Sequence, residues 1–320
     1  MRDYVIGFDV GGTRLKSGAV TREGRMLAHG IASSDAHLGP QALLHRLVEE
    51  INALARKLRV IPRAIGLGLP GAVLPARGIV LLPGRLKGLQ GYPLVPKLRA
   101  ATRVPVVADN DARLAMLAEA KFGLARGKSW ALSITLGTGV GSGVLLDGKI
   151  LRDPHLQFGT QMSHVTLQAG GRLCLTGNRG TAEMLCSATA LSMQVRDGLQ
   201  RGIPSVLSDR YIDDPGSVDF AAVMEGVRRK DRLCLDELGV WTANLGAFLV
   251  SAIHVYAPEV VILSGGATHG AKYFLKDLRA HVRRHVYRWP VGQAVPVLIS
   301  NMQDHAGVLG AAVAAWEQTS

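Results

Sequence analysis

Two short stretches of this chain combine glycine and threonine in a way that suits a polyphosphate. Near the start it runs Phe8-Asp9-Val10-Gly11-Gly12-Thr13 and continues through Ser17-Gly18. In the middle it runs Ile134-Thr135-Leu136-Gly137-Thr138-Gly139 and continues through Ser142-Gly143. Thr13 and Thr138 are 125 residues apart, and so are Ser17 and Ser142. Each copy reads as an apolar strand, a tight glycine turn and a return strand. Gly11 and Gly12 open backbone conformations closed to other residues, so main-chain N–H groups can face a phosphate. Asp9, at the end of its strand, is a candidate carboxylate for a magnesium ion held through water. Two further turns join these. Gly265-Gly266 follows the apolar run Val260-Val261-Ile262-Leu263, at the end of a strand, where α/β folds place ligands. Asp109-Asn110-Asp111 stands between a strand and a helix, and one of the three is expected to be the helix N-cap.

These turns need elements to hold them. Tyr4 to Leu27 reads as a pair of strands joined by the first turn. Leu43, Leu44, Leu47, Val48, Ile51, Leu54 and Leu58 recur at helical spacing within residues 41–58. Ile65 to Leu69 and Val104 to Ala108 read as short strands, the first ending at Pro70-Gly71. A helix is expected over 113–122, closed by Gly123. In the second part, helical patterns cover 181–199, 218–228 and 233–256. A strand at 295–299 and a helix at 308–316 close the chain. Strands alternating with helices point to an α/β fold.

The chain has 320 residues, of which 48% are hydrophobic and 38 are glycine, so it is a globular chain with many turns. Its formal net charge is +12, carried by scattered basic residues with short runs such as Arg228-Arg229-Lys230. That pattern reads as a solvated basic surface and also suits an anionic substrate, without pointing to nucleic acid. The three cysteines, Cys174, Cys186 and Cys234, form no disulfide framework, and a reducing cytoplasm fits. No leader and no apolar run of membrane-spanning length is read: the most apolar stretch, near Phe248, is interrupted by His254 and Pro258.

The ordered set of motifs is Asp-x-Gly-Gly-Thr, Pro-Gly, Asn-Asp-Ala, Leu-Gly-Thr-Gly-x-Gly-x-Gly, a His-bearing loop, Gly-x-x-Gly-x-x-Glu and Ser-Gly-Gly. From Ile6 to about Ala314 it resembles the ROK family of bacterial sugar kinases and sugar-responsive repressors, within the actin-like ATPase superfamily. The resemblance implies an actin-like (ribonuclease H-like) fold of two α/β domains with a cleft between them. They are expected at residues 1–122 and 123–305, with the last helix, about 306–320, packing back onto the first. It implies transfer of phosphate from ATP, with Mg2+, to a hexose or hexosamine hydroxyl in a glucokinase-like reaction. Asp111 matches the family's catalytic base, and a helix dipole would keep it ionised. Asp9, Gly11, Gly12 and Thr13 match the first phosphate loop, Gly137, Thr138 and Gly139 the second, and Gly265-Gly266 the adenosine-side turn. Asn110, Gln161, His164 and Glu183 fall at sugar-contacting positions. Family members are often dimers or tetramers.

The chain departs from the family in two places. Where the family carries Glu-x-Gly-His there is Gln161-Met162-Ser163-His164, which exchanges an acceptor-only carboxylate for a weaker amide. Where it carries three zinc-binding cysteines there are Cys174, Thr176 and Thr181. His164 and Cys174 alone fall short of the four ligands of a structural zinc site, so a zinc-free loop held by hydrogen bonds is expected. Arg85 and Leu89 occupy a loop where relatives often carry Asn and Trp near the sugar, and Arg85 with Lys87 would suit an acidic or phosphorylated sugar. Two other readings stand beside the kinase: a sugar-binding protein without catalysis, suggested by Gln161 and the reduced zinc motif, and a sugar-sensing repressor. The second is disfavoured because only eight residues precede Asp9.

Overall fold

The computed structural model describes residues 3–82, 86, 88–153, 155, 159, 161–287 and 294–319. Arg85 and Lys87 therefore lie outside the described residues. Leu86 and Leu89, from the same stretch, are buried in the core.

In chain order the first elements are strands β1 (Val5–Val10), β2 (Arg14–Val20) and β3 (Met26–Ser33), helix α1 (Pro40–Leu58), and strands β4 (Ile65–Leu69), β5 (Ala72–Leu74) and β6 (Ile79–Leu82). Helix α2 (Leu94–Thr102), strand β7 (Val106–Asn110) and helix α3 (Asp111–Phe122) follow. Next come β8 (Ala131–Leu136), β9 (Val140–Leu146) and β10 (Lys149–Ile150). Helices α4 (Ala182–Cys186), α5 (Ala188–Gln200), α6 (Ser208–Asp213), α7 (Phe220–Arg228) and α8 (Arg232–Tyr256) precede β11 (Val260–Ser264). Helix α9 (Ala271–His285), β12 (Val297–Ile299) and α10 (Ala306–Glu317) complete the chain.

The chain forms two compact units. One comprises Met1–Ser129, Gly143–Thr160 and Asn301–Ser320, the other Trp130–Ser142 and Gln161–Ser300. The first five-stranded sheet has the order β3-β2-β1-β4-β7, and the second β10-β9-β8-β11-β12. The two orders correspond strand for strand: a three-stranded antiparallel meander, then two parallel strands. The internal duplication read from the Gly-Thr turns is thus a duplication of whole sheets. Its spacing differs by one residue from that of the motif, because β8 and β9 begin and end 126 residues after β1 and β2. The turns close differently. The Gly11 N–H donates to the Arg14 carbonyl at 2.8 Å, whereas the Gly137 N–H reaches only as far as the Gly139 carbonyl, at 3.0 Å.

In the first unit, one face of the sheet is covered by α1, whose Leu43, Leu47, Ile51 and Leu54 are buried. This is the helical stripe expected from spacing. A separate cluster of Val5, Val20, Val308, Ala312, Ala315 and Trp316 joins α10 to β1 and β2. Here the backbones touch. A side chain added at Gly7 would lie 2.1 Å from the Val308 carbonyl oxygen, one at Gly66 1.9 Å from that of Ala311, and one at Gly310 1.8 Å from that of Leu114. These glycines are required for space, not for unusual dihedrals.

Ser187 divides the helical pattern of 181–199 into α4 and α5, with its hydroxyl capping α5 through the Ala190 N–H at 3.0 Å. The pattern of 271–285 was missed, because α9 buries only Phe274, Leu278 and Val282 along an otherwise charged helix. Helix α8 is long and apolar enough by length and composition to cross a membrane, and half of its most apolar stretch is buried within its own unit. His254 lies inside this helix and does not interrupt it.

The close backbone contact sets a test. Gly310→Ala forces α10 away from α3 and is expected to lower stability by about 1–3 kcal/mol, the usual cost of overpacking, as read by urea denaturation.

Candidate active site

In the first unit the candidate residues gather at the C-terminal edge of three parallel strands. Asp9 of β1 is in register with Gly68 of β4, and Gly68 with Asp109 of β7. Across the antiparallel pair, Asp9 faces Lys16 of β2. Lys16 Nζ in turn lies 3.4 Å from the Asp304 carboxylate, just before α10. Gly307, in the first turn of α10, abuts Asp9: a side chain there would come within 2.8 Å of the carboxyl carbon. Burial pushes the Asp9 carboxyl upward, Lys16 opposes the shift and Asp304 adds to it. No hydrogen bond to this carboxylate occurs among the described residues. A hard, partly buried oxygen donor without a protein partner fits a hydrated magnesium ion.

Asn110 is the N-cap of α3. Its Oδ1 accepts from the N–H groups of Ala112 at 3.0 Å and Arg113 at 3.2 Å, and its Nδ2 donates to the Gly71 carbonyl at 3.0 Å. The cap expected within Asp109-Asn110-Asp111 is therefore the middle residue, which ties its side chain to α3 and to the Pro70-Gly71 turn.

Asp109 is committed elsewhere. It is buried, and its Oδ1 accepts from Arg113 Nε at 2.8 Å and from the Asn110 N–H at 2.7 Å, while its other oxygen meets Arg152. Asp111 is thus the one carboxylate of the trio not consumed by a cap or an ion pair. Burial, followed by the negative charge of Asp9, pushes its carboxyl up to about 7, against the opposing Ala112 N–H and Arg113. This corrects the expectation that the helix dipole keeps Asp111 ionised: desolvation and a like charge outweigh the field of one helix end.

In the second unit, the Gly137-Thr138-Gly139 turn and the Gly265-Gly266 turn end adjacent parallel strands. Thr135 of β8 is in register with Ser264 of β11, and their hydroxyls are 3.0 Å apart. Gly265 has φ +88°, and a side chain there would lie 2.4 Å from the Leu136 carbonyl oxygen. It is the glycine of these turns that needs left-handed backbone. Gly11, Gly12, Gly137 and Gly139 have ordinary negative φ, contrary to the reading of the first turn. A side chain at Gly139 would displace the end of Glu183, which stands in the first turn of α4 with its Oε2 2.3 Å from where that side chain would begin and accepts from the Val140 N–H at 3.2 Å. Glu183 is thus joined to the second Gly-Thr turn.

Gln161 is exposed and precedes a short helical turn, Met162–His164. His164 Nδ1 lies 3.5 Å from the buried Cys174 Sγ. Among the described residues no group of three His, Cys, Asp or Glu side chains could hold a metal ion. One thiol and one imidazole do not fit a four-ligand zinc. The loop is instead closed by backbone bonds from Cys174 N–H to the Asn178 carbonyl at 2.7 Å and from Gly180 N–H to the Arg172 carbonyl at 2.9 Å. Asn178 Nδ2 adds a bond to the Thr166 hydroxyl at 3.0 Å.

Lys16, Asp304, Gly307, Arg113 and Arg152 were not found by sequence reasoning. A hairpin centred on Gly12-Thr13 would have put Lys16 opposite Asp9, and Asp109 with Arg113 has the i,i+4 spacing of a helical ion pair. Asp304, Gly307 and Arg152 carried no local signal.

The sequence profile of the ROK family matches residues 5–318. The chain belongs to the ROK family. It is 30% identical over 310 residues to a glucokinase of Thermotoga maritima, an alignment covering 96% of each protein. It is 25% identical to a xylose repressor of Caldicellulosiruptor bescii, covering 96% of this chain and 76% of the repressor. Among solved structures it resembles a ROK glucokinase from Streptomyces griseus in complex with glucose and AMPPNP, with TM-score 0.84, 26% identity and coverage of 98% and 99%. The fold is that of the actin-like ATPases, as the motifs implied.

Two tests follow from the site. Below pH 3.8, the ordinary value for aspartate, Asp111 is protonated whether folded or unfolded. Above it the raised folded value makes ionisation costly, and the cost grows until the pH passes about 7. Asp111→Asn is therefore expected to stabilise the fold at pH 8, by about 1–2 kcal/mol after solvent screening, and to leave it unchanged near pH 4, as measured by thermal unfolding at the two pH values. Elemental analysis of the purified protein is expected to find no stoichiometric zinc; one zinc per chain would overturn the account of the loop.

Proposed function

We propose that this ROK protein is a sugar kinase that transfers the terminal phosphoryl group of ATP to a hydroxyl of a hexose or hexosamine. The observation that carries this reading is Asp111: a carboxylate at the start of α3 that accepts the Ala112 N–H at 2.8 Å but enters no ion pair among the described residues, because Asn110 supplies the cap and Asp109 is held by Arg113 and Arg152. A carboxyl pushed up to about 7 is matched to general-base work near neutral pH. The likeness to a glucokinase crystallised with glucose and an ATP analogue supports both substrates.

In this reading the acceptor hydroxyl gives its proton to Asp111 as its oxygen bonds to phosphorus, and the bond from phosphorus to the leaving ADP oxygen breaks. Phosphoryl transfer is governed mainly by positioning and charge. Gly12 and Thr13 of the first Gly-Thr turn, and Thr138 and Gly139 of the second, are the candidates to offer backbone N–H groups to phosphate, since the Gly11 and Gly137 N–H groups are taken by the Arg14 and Gly139 carbonyls. Gly265 and Gly266 leave room on the adenosine side. Asp9 would hold magnesium through water, and when bound the ion screens charge between the phosphate oxygens. Asn110, Gln161, His164 and Glu183 are the candidates for sugar contact. Of these, Asn110 and Glu183 also hold α3 and the second Gly-Thr turn, so their substitution is expected to disturb both binding and loop geometry.

Incubation with ATP, magnesium and a panel of hexoses and hexosamines should release ADP with at least one sugar. Asp111→Asn should lower kcat by about 10²–10⁴-fold, the range for loss of a general base, with nucleotide binding kept. Sugar binding without turnover by the wild type would favour the non-catalytic reading.

A further inference from the structure

The first unit holds a cavity of about 450 Å³, a volume within the range of small-molecule sites. The turn between β2 and β3, the residues just before β1 and β4, and the end of α10 wall it. Arg22, Arg25 and Arg63 line it together with two carboxylates, Asp3 and Glu23. Both carboxylates are already engaged. Asp3 Oδ2 accepts from Arg63 at 2.8 Å. The Thr21 hydroxyl, and then the backbone of Glu23 itself, hold the Glu23 carboxyl below the usual carboxylate range. Arg22 and Arg25 enter no ion pair among the described residues, so two guanidinium groups line one concavity without a paired carboxylate.

The two arginines are held by other means. Arg22 lies over the Trp316 ring, 4.8 Å from its centroid, in a cation–π contact. Trp316 is itself fixed, with Nε1 donating to the Val20 carbonyl at 3.3 Å. Arg25 closes the turn: its carbonyl accepts the Thr21 N–H at 3.0 Å, and its own N–H donates to the Thr21 hydroxyl at 3.3 Å. Gly24, with φ +83°, seats the turn on the end of α3, since a side chain there would lie 2.8 Å from the Phe122 ring. A turn braced in this way needs little further backbone ordering to bind a ligand.

We propose that this cavity binds the phosphate group of a small phosphomonoester, at a site separate from the candidate phosphate turns. Two unpaired guanidinium groups match the double charge and the several acceptor oxygens of a phosphomonoester, where a lone carboxylate would use only one of them. Concave walls of limited volume suit a small molecule and not the extended backbone of a nucleic acid. The site also lies away from the candidate catalytic edge. Between Gly307, which abuts Asp9, and Trp316, helix α10 rises by about 14 Å. The same helix thus meets Asp9 at one end and the cavity at the other. The proposal does not rest on the kinase reading.

Isothermal titration calorimetry of the full chain with glycerol phosphate and, separately, inorganic phosphate tests it, with glycerol as the uncharged control. The wild type is expected to bind glycerol phosphate with a dissociation constant of about 1 mM or below, more weakly as salt is raised, and not to bind glycerol. Arg22→Gln combined with Arg25→Gln should weaken that binding by about tenfold or more. Arg25→Gln alone, which leaves Arg22 on Trp316, should weaken it by about fivefold and decides the matter if the double variant folds poorly. Should the candidate phosphate turns also take the probe, the wild type shows two components and the variants lose one. A wild type that binds neither phosphate at about 10 mM overturns the proposal. So does binding that both variants leave unchanged.

Discussion

The first unit depends on how closely helix α10 can approach the sheet. Its backbone lies against Gly7 and Gly66 at distances that no side chain would allow, and Gly310 lets α3 approach from its other side. Three glycines far apart in sequence replace an ordinary layer of side chains with direct backbone contact. The consequence reaches the candidate site. Seating α10 this way brings Gly307 against Asp9, and sets Asp304 beside Lys16, which faces Asp9 from β2. The environment of the candidate magnesium-bearing carboxylate is thus partly built by the last helix of the chain.

Around that edge the charges fall into two classes. Asp109 pairs with both Arg113 and Arg152, and its pair with Arg113 is buried. A buried pair of this kind is costly to break and contributes little as a whole, so its value here lies in what it orders: the backbone of Asn110 and the start of α3. Asp9 and Asp111 remain without hydrogen-bonded cations among the described residues; burial raises the proton affinity of both, and the charge of Asp9 raises that of Asp111 further. Such unneutralised charge lowers stability in exchange for reactivity, the usual situation at a catalytic site.

In the second unit a loop without a four-ligand metal set among the described residues is held by its own backbone. Thr176 and Thr181 stand where the resemblance implies cysteines; the loop is closed by backbone bonds around Cys174, Asn178 and Gly180, and His164 Nδ1 lies 3.5 Å from Cys174 Sγ. Gly180, with φ +60° and no room for a side chain beside the Gln168 carbonyl, holds the crossing point. Glu183 follows at the start of α4 and braces the second Gly-Thr turn, so the loop and the phosphate turn are mechanically joined through one carboxylate.

Much of this was legible in the residues themselves. The apolar strands, the helical stripe of α1, the two glycine turns and Asp9 at a strand end follow from local pattern, because strand and helix periods and tight turns are short-range properties, whereas Asp111 was singled out from its trio by the family resemblance. The one-residue difference between motif and strand spacing was not legible, since it depends on which carbonyl each turn closes upon. The raised proton affinity of Asp111 was not legible, for the same kind of reason. Its own helix end favours ionisation, but burial by the surrounding protein, and then the charge of Asp9 more than a hundred residues earlier, oppose it. The sequence by itself determined which residues could do chemistry and in what order they occur. Tertiary structure alone decided their partners, their proton affinity and the seat of α10, because each depends on close contact between groups distant along the chain.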